Sequence, residues 1–506
     1  MERLITFISG RIISVVLLVL FNVLLVRLMA TTEYGLYAVL ISLASIANTL
    51  GSLGAQRFLP KYMSLARSPE NAATVRDMAL AFISLRFVIV LVSAGLCLLI
   101  SNLWLSKDIT VNPSAFIPFI FLSVISSLYA DAEVVSQSLN QQRISRVVAI
   151  SEPLFRTTAV AVLVLFHIAL SGVGVVWIMI ATQGLAWVTL AANAWVTLRQ
   201  KVKSVTQAGG KPPRHEIIGI ISSGYVSGLT ALGASPPFIR LVAANFLSAS
   251  EFAALSFVQT ITLSLQRYSP GFLLFPFLEP AIMGWQTSQK EEGQAKAGAA
   301  LSLIAKVDAF IITFGILALA PLATEILQLL AGDRIAPRPL ILLLSMAAII
   351  GGTVVRCSEV AASFVSAYKA IFLSSGLSFL FVSILVFGGP YLGIAAILAF
   401  PIVDSLTRSF AMEAAAKSRG FVAVIDWSRI LLCFGLIASS VLLSERIFAP
   451  LGFSLLEKFA FSAGMIAVGA VCFLILKPLT KAEGALIAAY VRSPRIGRLL
   501  GWLTRS

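Results

Sequence analysis

Residues 78–101 read MALAFISLRFVIVLVSAGLCLLIS, with Arg86 as the single charge in the run. Roughly twenty apolar residues wound as a helix cross a hydrocarbon core about 30 Å thick. The segment lacks the period-two alternation of a barrel strand. Similar runs recur from end to end, centred on 9–30, 36–56, 78–101, 114–137, 147–168, 173–197, 216–243, 252–283, 299–321, 338–362, 364–387, 390–414, 425–447 and 454–476. Apolar residues make up 58% of the 506 positions and charged residues 12%, and the mean hydropathy is +0.94. A soluble domain carries about a quarter of its residues charged. This chain carries half that and must be solvated by lipid. The expected fold is all-α and polytopic, with about fourteen transmembrane helices.

The first apolar run, from Ile12 to Ala30, is too long for a signal-peptide core and reads as a retained span. Lys and Arg fall mainly in alternate loops. Arg57, Lys61, Arg67 and Arg76 crowd one loop, and Arg199, Lys201, Lys203, Lys211 and Arg214 crowd another on the same side. The opposite loops hold few: Lys107, Arg334, Arg338, Arg446 and Lys458. By the positive-inside rule both termini are cytoplasmic. The net charge of +15 is then a topology signal with an attraction to anionic membrane lipids, and implies no nucleic-acid partner. Cys97, Cys357, Cys433 and Cys472 show no paired spacing, and His167 and His215 are far apart, so neither a metal nor a cofactor is expected. The phosphate-binding G-x-x-x-x-G-K-[ST] loop is absent, which excludes ATP hydrolysis by that route.

The first six spans resemble the next six. Arg27-Leu28-Met29-Ala30 matches Arg240-Leu241-Val242-Ala243, and Glu33-Tyr34-Gly35 matches Glu251-Phe252-Ala253. Phe58-Leu59 matches Phe277-Leu278, and Ala132-Glu133-Val134 matches Ser358-Glu359-Val360. The separation between partners grows steadily, as a duplication with small insertions would make it. Six spans return the chain to its starting side, so the copies are parallel repeats, which commonly enclose a site between them. The expected organisation is a six-helix lobe over 1–198, a basic linker over 199–215, a second six-helix lobe over 216–419 and two added spans over 420–478. A basic amphipathic tail over 479–506 serves either as an interfacial anchor or as topology signal alone.

The segment Ala30-Thr31-Thr32-Glu33-Tyr34-Gly35-Leu36-Tyr37 resembles the E-[YF]-G-x-Y turn of polysaccharide (O-antigen type) flippases. So do Leu50-Gly51-Ser52-Leu53-Gly54, Arg57-Phe58 and Lys61-Tyr62. Those flippases belong to the MOP exporter superfamily, with the multidrug MATE exporters and the lipid II flippases. The resemblance implies a MATE-like, V-shaped pair of lobes. It also implies translocation of a polyprenyl-pyrophosphate-linked oligosaccharide (O-antigen, capsule or exopolysaccharide repeat) from the cytoplasmic to the periplasmic leaflet of the bacterial inner membrane. Polysaccharide polymerase and glycosyltransferases are the protein partners it implies, and the protein is then a transporter and not an enzyme.

Ionisable groups inside spans are costly and mark pathways or mutual pairs. The cations Arg86, Arg156, Arg267, Lys306 and Arg356 are candidate ligands of an anionic substrate in a central cavity, and Arg408 lies in span twelve. Glu152 and Arg156, Asp404 and Arg408, and Arg356 and Glu359 are spaced to pair along one helix, as structural neutralisers or as substrate ligands. Arg86 and Arg267 lack a local acid, and each either lines the cavity or pairs with another span. Asp308, Asp404, Glu359 and Glu152 are candidates for coupling to H+ or Na+, as are Asp131, Glu133 and Glu325, which lack a local partner in the sequence. Asp308 comes first because it lies deep, unless it serves only to neutralise Lys306. Pro270 and Pro276 in span eight read as a gate or a fixed kink, and Pro236 and Pro237 in span seven read the same way.

Two other functions share parts of this pattern. A small-molecule or drug antiporter has the same fold but calls for acids where this chain has arginines. A polymerase or glycosyltransferase component generally has a large outer loop. A reporter fused after Lys203 is expected to remain in the cytoplasm, and its appearance outside would invert the topology.

Overall fold

The computed structural model describes residues 2–66, 69–104, 111–139, 141–203, 213–233, 235–266, 269–272, 275, 282, 285, 290–332, 338–365, 367–421, 425–448, 453–475, 479–480 and 482–484. These residues are helical almost throughout. The helices are α1 (Glu2–Leu28), α2 (Thr31–Leu50), α3 (Ala55–Leu65), α4 (Pro69–Trp104), α5 (Phe116–Ser138), α6 (Gln142–Leu165), α7 (Gly172–Lys203) and α8 (Arg214–Leu232). They continue as α9 (Pro236–Ala243), α10 (Ala249–Gln266), α11 (Lys290–Leu319), α12 (Ala323–Ala331), α13 (Pro339–Phe364), α14 (Tyr368–Lys417), α15 (Trp427–Leu443) and α16 (Leu455–Ile475).

Among the described residues, 10 helices are long and apolar enough to cross a membrane. They coincide with ten of the fourteen expected spans. The other four fall on α1, whose described apolar stretch is Ile13–Leu28, on α2, on α8 with α9, and on 252–283, which is described only in part.

Three boundaries differ from expectation. Span seven is two helices, because Pro236 starts a new one instead of bending an old one. The Ser235 hydroxyl caps α9 by accepting from the Phe238 N–H at 3.4 Å, and Pro236 and Pro237 sit in the first turn, where a missing N–H costs nothing. Span two stops at Leu50, and the chain turns at Gly51 into the short α3. Spans eleven and twelve lie within α14, separated at Gly393 (φ 70°, ψ −173°), a backbone conformation that favours glycine.

The chain divides into two compact units, 1–257 and 258–506. In the first, α1 packs on α6, α5 on α7, and α2 on α4, α5, α7 and α9. The Glu33-Tyr34-Gly35 turn is an anchor here. The Glu33 carboxylate accepts from the Gly172 N–H at 2.7 Å and so holds the start of α7, while Tyr34 and Tyr37 are buried. A Cβ on Gly172 would come within 2.7 Å of the Glu33 carbonyl oxygen, so only glycine permits the approach.

In the second unit, α13 packs on α11 and α14, and α11 on α15 and α16. Ion pairs hold the last two spans to this core at both ends. Lys306 of α11 meets both oxygens of Glu483 at 3.0 Å and Asp426 at 3.1 Å, and Lys458 of α16 pairs with Glu325 of α12. Breaking a buried pair from one side costs about 3–5 kcal/mol, whereas an exposed pair is worth under about 1 kcal/mol. Lys306→Ala is therefore expected to lower the thermal midpoint of the detergent-solubilised protein clearly. Lys61→Ala, which removes the exposed pair with Glu216, should leave it nearly unchanged.

Candidate functional site

In the first unit, α4 turns Leu85, Val88 and Val92 outward and buries Arg86 at 6% exposure. Lipid takes the apolar face, and the guanidinium needs a partner inside the protein. It finds Asp131 of α5, equally buried, and donates from Nε to the Gly51 carbonyl at 3.3 Å. Gly51 makes this reach possible, since a Cβ there would lie 2.4 Å from Val90 Cγ2 and 2.9 Å from Val90 Cα. A cavity of about 110 Å³ beside Asp131, lined in part by Arg76, Trp187 and Trp195, has room for a few waters but not for a sugar.

One layer away, Arg156 and Glu152 pair along α6, as their spacing predicts. Thr182 of α7 donates to Glu152 at 3.4 Å, and the Phe21 ring lies 5.3 Å from the guanidinium. Arg240 is also buried, within electrostatic reach of Tyr34 and Tyr37. In the sequence Arg240 marks only the end of a span, and its burial beside Tyr34 and Tyr37 shows in the folded chain.

In the second unit, Asp308 of α11 is fully buried. It does not neutralise Lys306, whose ammonium is taken by Glu483 and Asp426 on another face of α11. Instead the Gly271 N–H donates to Oδ1 at 3.1 Å and the Thr353 hydroxyl donates to Oδ2, with Ser269 buried alongside. Arg356, one turn along α13 from Thr353, stands over the rings of Phe272 and Phe275 at 5.8 and 4.8 Å. Its expected neighbour Glu359 turns to Arg408 of α14 at 3.1 Å, and Asp404 lies 3.8 Å from the same guanidinium. Pro270 sits where helical geometry resumes after a bend at Ser269, while Arg267 and Pro276 lie outside the described residues.

A groove of about 640 Å³ is lined mainly by apolar side chains, among them Leu317, Leu436, Phe453, Phe461 and Val468. Such a lining is compatible with hydrocarbon.

Neither protein-family models nor curated proteins match the sequence. A solved structure described as lipid II flippase MurJ, in an inward closed conformation, does match the fold. The TM-score is 0.58 with 11% sequence identity, over 93% of this chain and 98% of that one. The two share a fold. At such low identity the likeness extends to the path of the helices and leaves the buried charges to be read from this chain alone.

The Arg86–Asp131 pair makes a defined prediction. Asp131→Ala strands a buried guanidinium and should destabilise the protein by about 3–5 kcal/mol. Adding Arg86→Ala should recover much of that loss in a double-mutant cycle followed by thermal unfolding.

Proposed function

We propose that this protein flips a lipid-linked oligosaccharide by ion-coupled alternating access. The substrate is a polyprenyl-pyrophosphate-linked repeat unit of O-antigen, capsule or exopolysaccharide, moved from the cytoplasmic to the periplasmic leaflet of a bacterial inner membrane. The reading is carried by a fold shared along nearly its whole length with a lipid II flippase. The cationic bias of the spans adds to it, because Arg86, Arg156, Arg356 and Lys306 are all candidates to meet a diphosphate, as is Arg267. Arg86 and Arg156 are held here by carboxylates that a bidentate anion can replace, since guanidinium binds both in the same planar fork. The apolar groove of the last two spans suits the hydrocarbon part of such a substrate.

On this reading the two six-helix repeats are the moving lobes and both termini are cytoplasmic. Asp308 is the first candidate for the H+ or Na+ site, ahead of Asp404, Glu359 and Glu152, each of which has a basic partner. A polysaccharide polymerase and glycosyltransferases would work beside it. A MATE-like drug antiporter would need such an acid within reach of a cationic drug. Asp308 is fully buried, which suits an ion rather than a drug.

The test is the lipid fraction of a deletion strain, assayed for polyprenyl-pyrophosphate-linked oligosaccharide on each leaflet. Accumulation on the cytoplasmic leaflet is expected, reversed by wild type and not by Arg86→Ala or Arg267→Ala variants that insert normally. No accumulation, with lost resistance to cationic drugs, would replace this reading with the exporter.

A further inference from the structure

We infer that Asp308, Thr353 and Gly271 form a lock on the bend in span eight, through which the charge on Asp308 sets the placement of Arg356. On the reading of Asp308 as the coupling acid, this is the step by which ion binding reaches a substrate cation.

Helix α10 is described as far as Gln266, the chain bends at Ser269, and helical geometry is present at 270–272. This short stretch is pressed onto α13. A Cβ on Gly271 would lie 2.5 Å from Thr353 Cγ2 and 3.1 Å from Asp308 Cγ. A Cβ on Gly352 would lie 2.7 Å from Gln266 Nε2 and 3.5 Å from the Phe272 ring. The absence of two side chains thus lets each glycine backbone take the side chains of the other segment, and Asp308 seals the contact by accepting from the Gly271 N–H at 3.1 Å and from the Thr353 hydroxyl. Phe272 of this stretch stands against the Arg356 guanidinium, as does the Phe275 ring. One turn of α13 (Gly352, Thr353 and Arg356) therefore grips one short segment of span eight, with Asp308 behind it.

Hydrogen bonds to a charged acceptor are about twice as strong as those to a neutral one. A proton or metal ion taken by Asp308 weakens its hold on the Gly271 N–H, and the segment loosens. The Phe272 ring moves with it, and Arg356 loses that face. Thr353 and Gly271 are positioning residues in this scheme. Neither needs to touch a substrate.

The test uses the full chain in lipid nanodiscs, with amide hydrogen exchange followed at Ser269, Gly271 and Phe272. Asp308→Asn and Thr353→Val should each speed exchange there by about tenfold while α13 keeps its protection. Thr353→Ser, which keeps the hydroxyl, should exchange like wild type. If Asp308→Asn and Thr353→Val leave exchange unchanged, the lock is wrong, even if Asp308→Asn abolishes the ion dependence of flipping and so upholds the coupling reading. Faster exchange with ion dependence intact would uphold the lock and remove Asp308 from the coupling role. Should Asp308→Asn not fold, the contrast between Thr353→Val and Thr353→Ser decides alone, and equal behaviour of those two overturns the proposal.

Discussion

A charge carried into hydrocarbon must be neutralised within the protein, and much of this structure is arranged around that requirement. Association of helices in lipid gains little from burying apolar surface, because the tails are as apolar as leucine. What distinguishes one helix face from another is then its polar groups and its small residues. Arg86 fixes which side of α4 turns inward, and Asp131 fixes the facing side of α5. Lys306 does the same for α11 against the segment containing Glu483, and Lys458 for α16 against α12. Each pair costs desolvation and contributes orientation.

Much of the architecture is legible in the sequence, because span length and loop charge are local properties. The pairs at one helical turn are legible for the same reason: Glu152 with Arg156 stand where their spacing puts them. The pairs between spans are not. Nothing in the numbering brings Arg86 to Asp131 or Lys306 to Glu483, since those meetings depend on which helices become neighbours. Even a correct spacing can mislead when a better partner is near. Glu359 is three residues from Arg356 yet turns to Arg408, and Arg356 stands over two aromatic rings.

Glycine and hydroxyl residues were the least legible class. Gly51, Gly271 and Gly352 matter through what a Cβ would strike, and only the folded chain shows the obstacle. Serine and threonine inside apolar runs read as neutral filler. Yet Thr353 and Thr182 supply hydrogen bonds to buried carboxylates. The broken span seven belongs here too. Pro236 suggests a kink in a helix pattern, and only Ser235 acting as a cap shows a new helix beginning.

The buried acids fall into two kinds, and the difference bears on which of them can change charge. Asp131, Glu152 and Glu483 each face a cation. Putting a proton on Asp131 or Glu152 takes the carboxylate away from a buried guanidinium, at about 3–5 kcal/mol, and Glu483 shares the Lys306 ammonium with Asp426. Asp308 is held by an N–H and a hydroxyl. Its neutral form strands no opposite charge and gives back the cost of desolvating its own. A coupling site must alternate between two charge states at small cost in both. Of these four, Asp308 is the one whose partners allow that, and its partners also reach the bend in span eight. Charge, bend and Arg356 therefore lie on one line of contacts within a single unit.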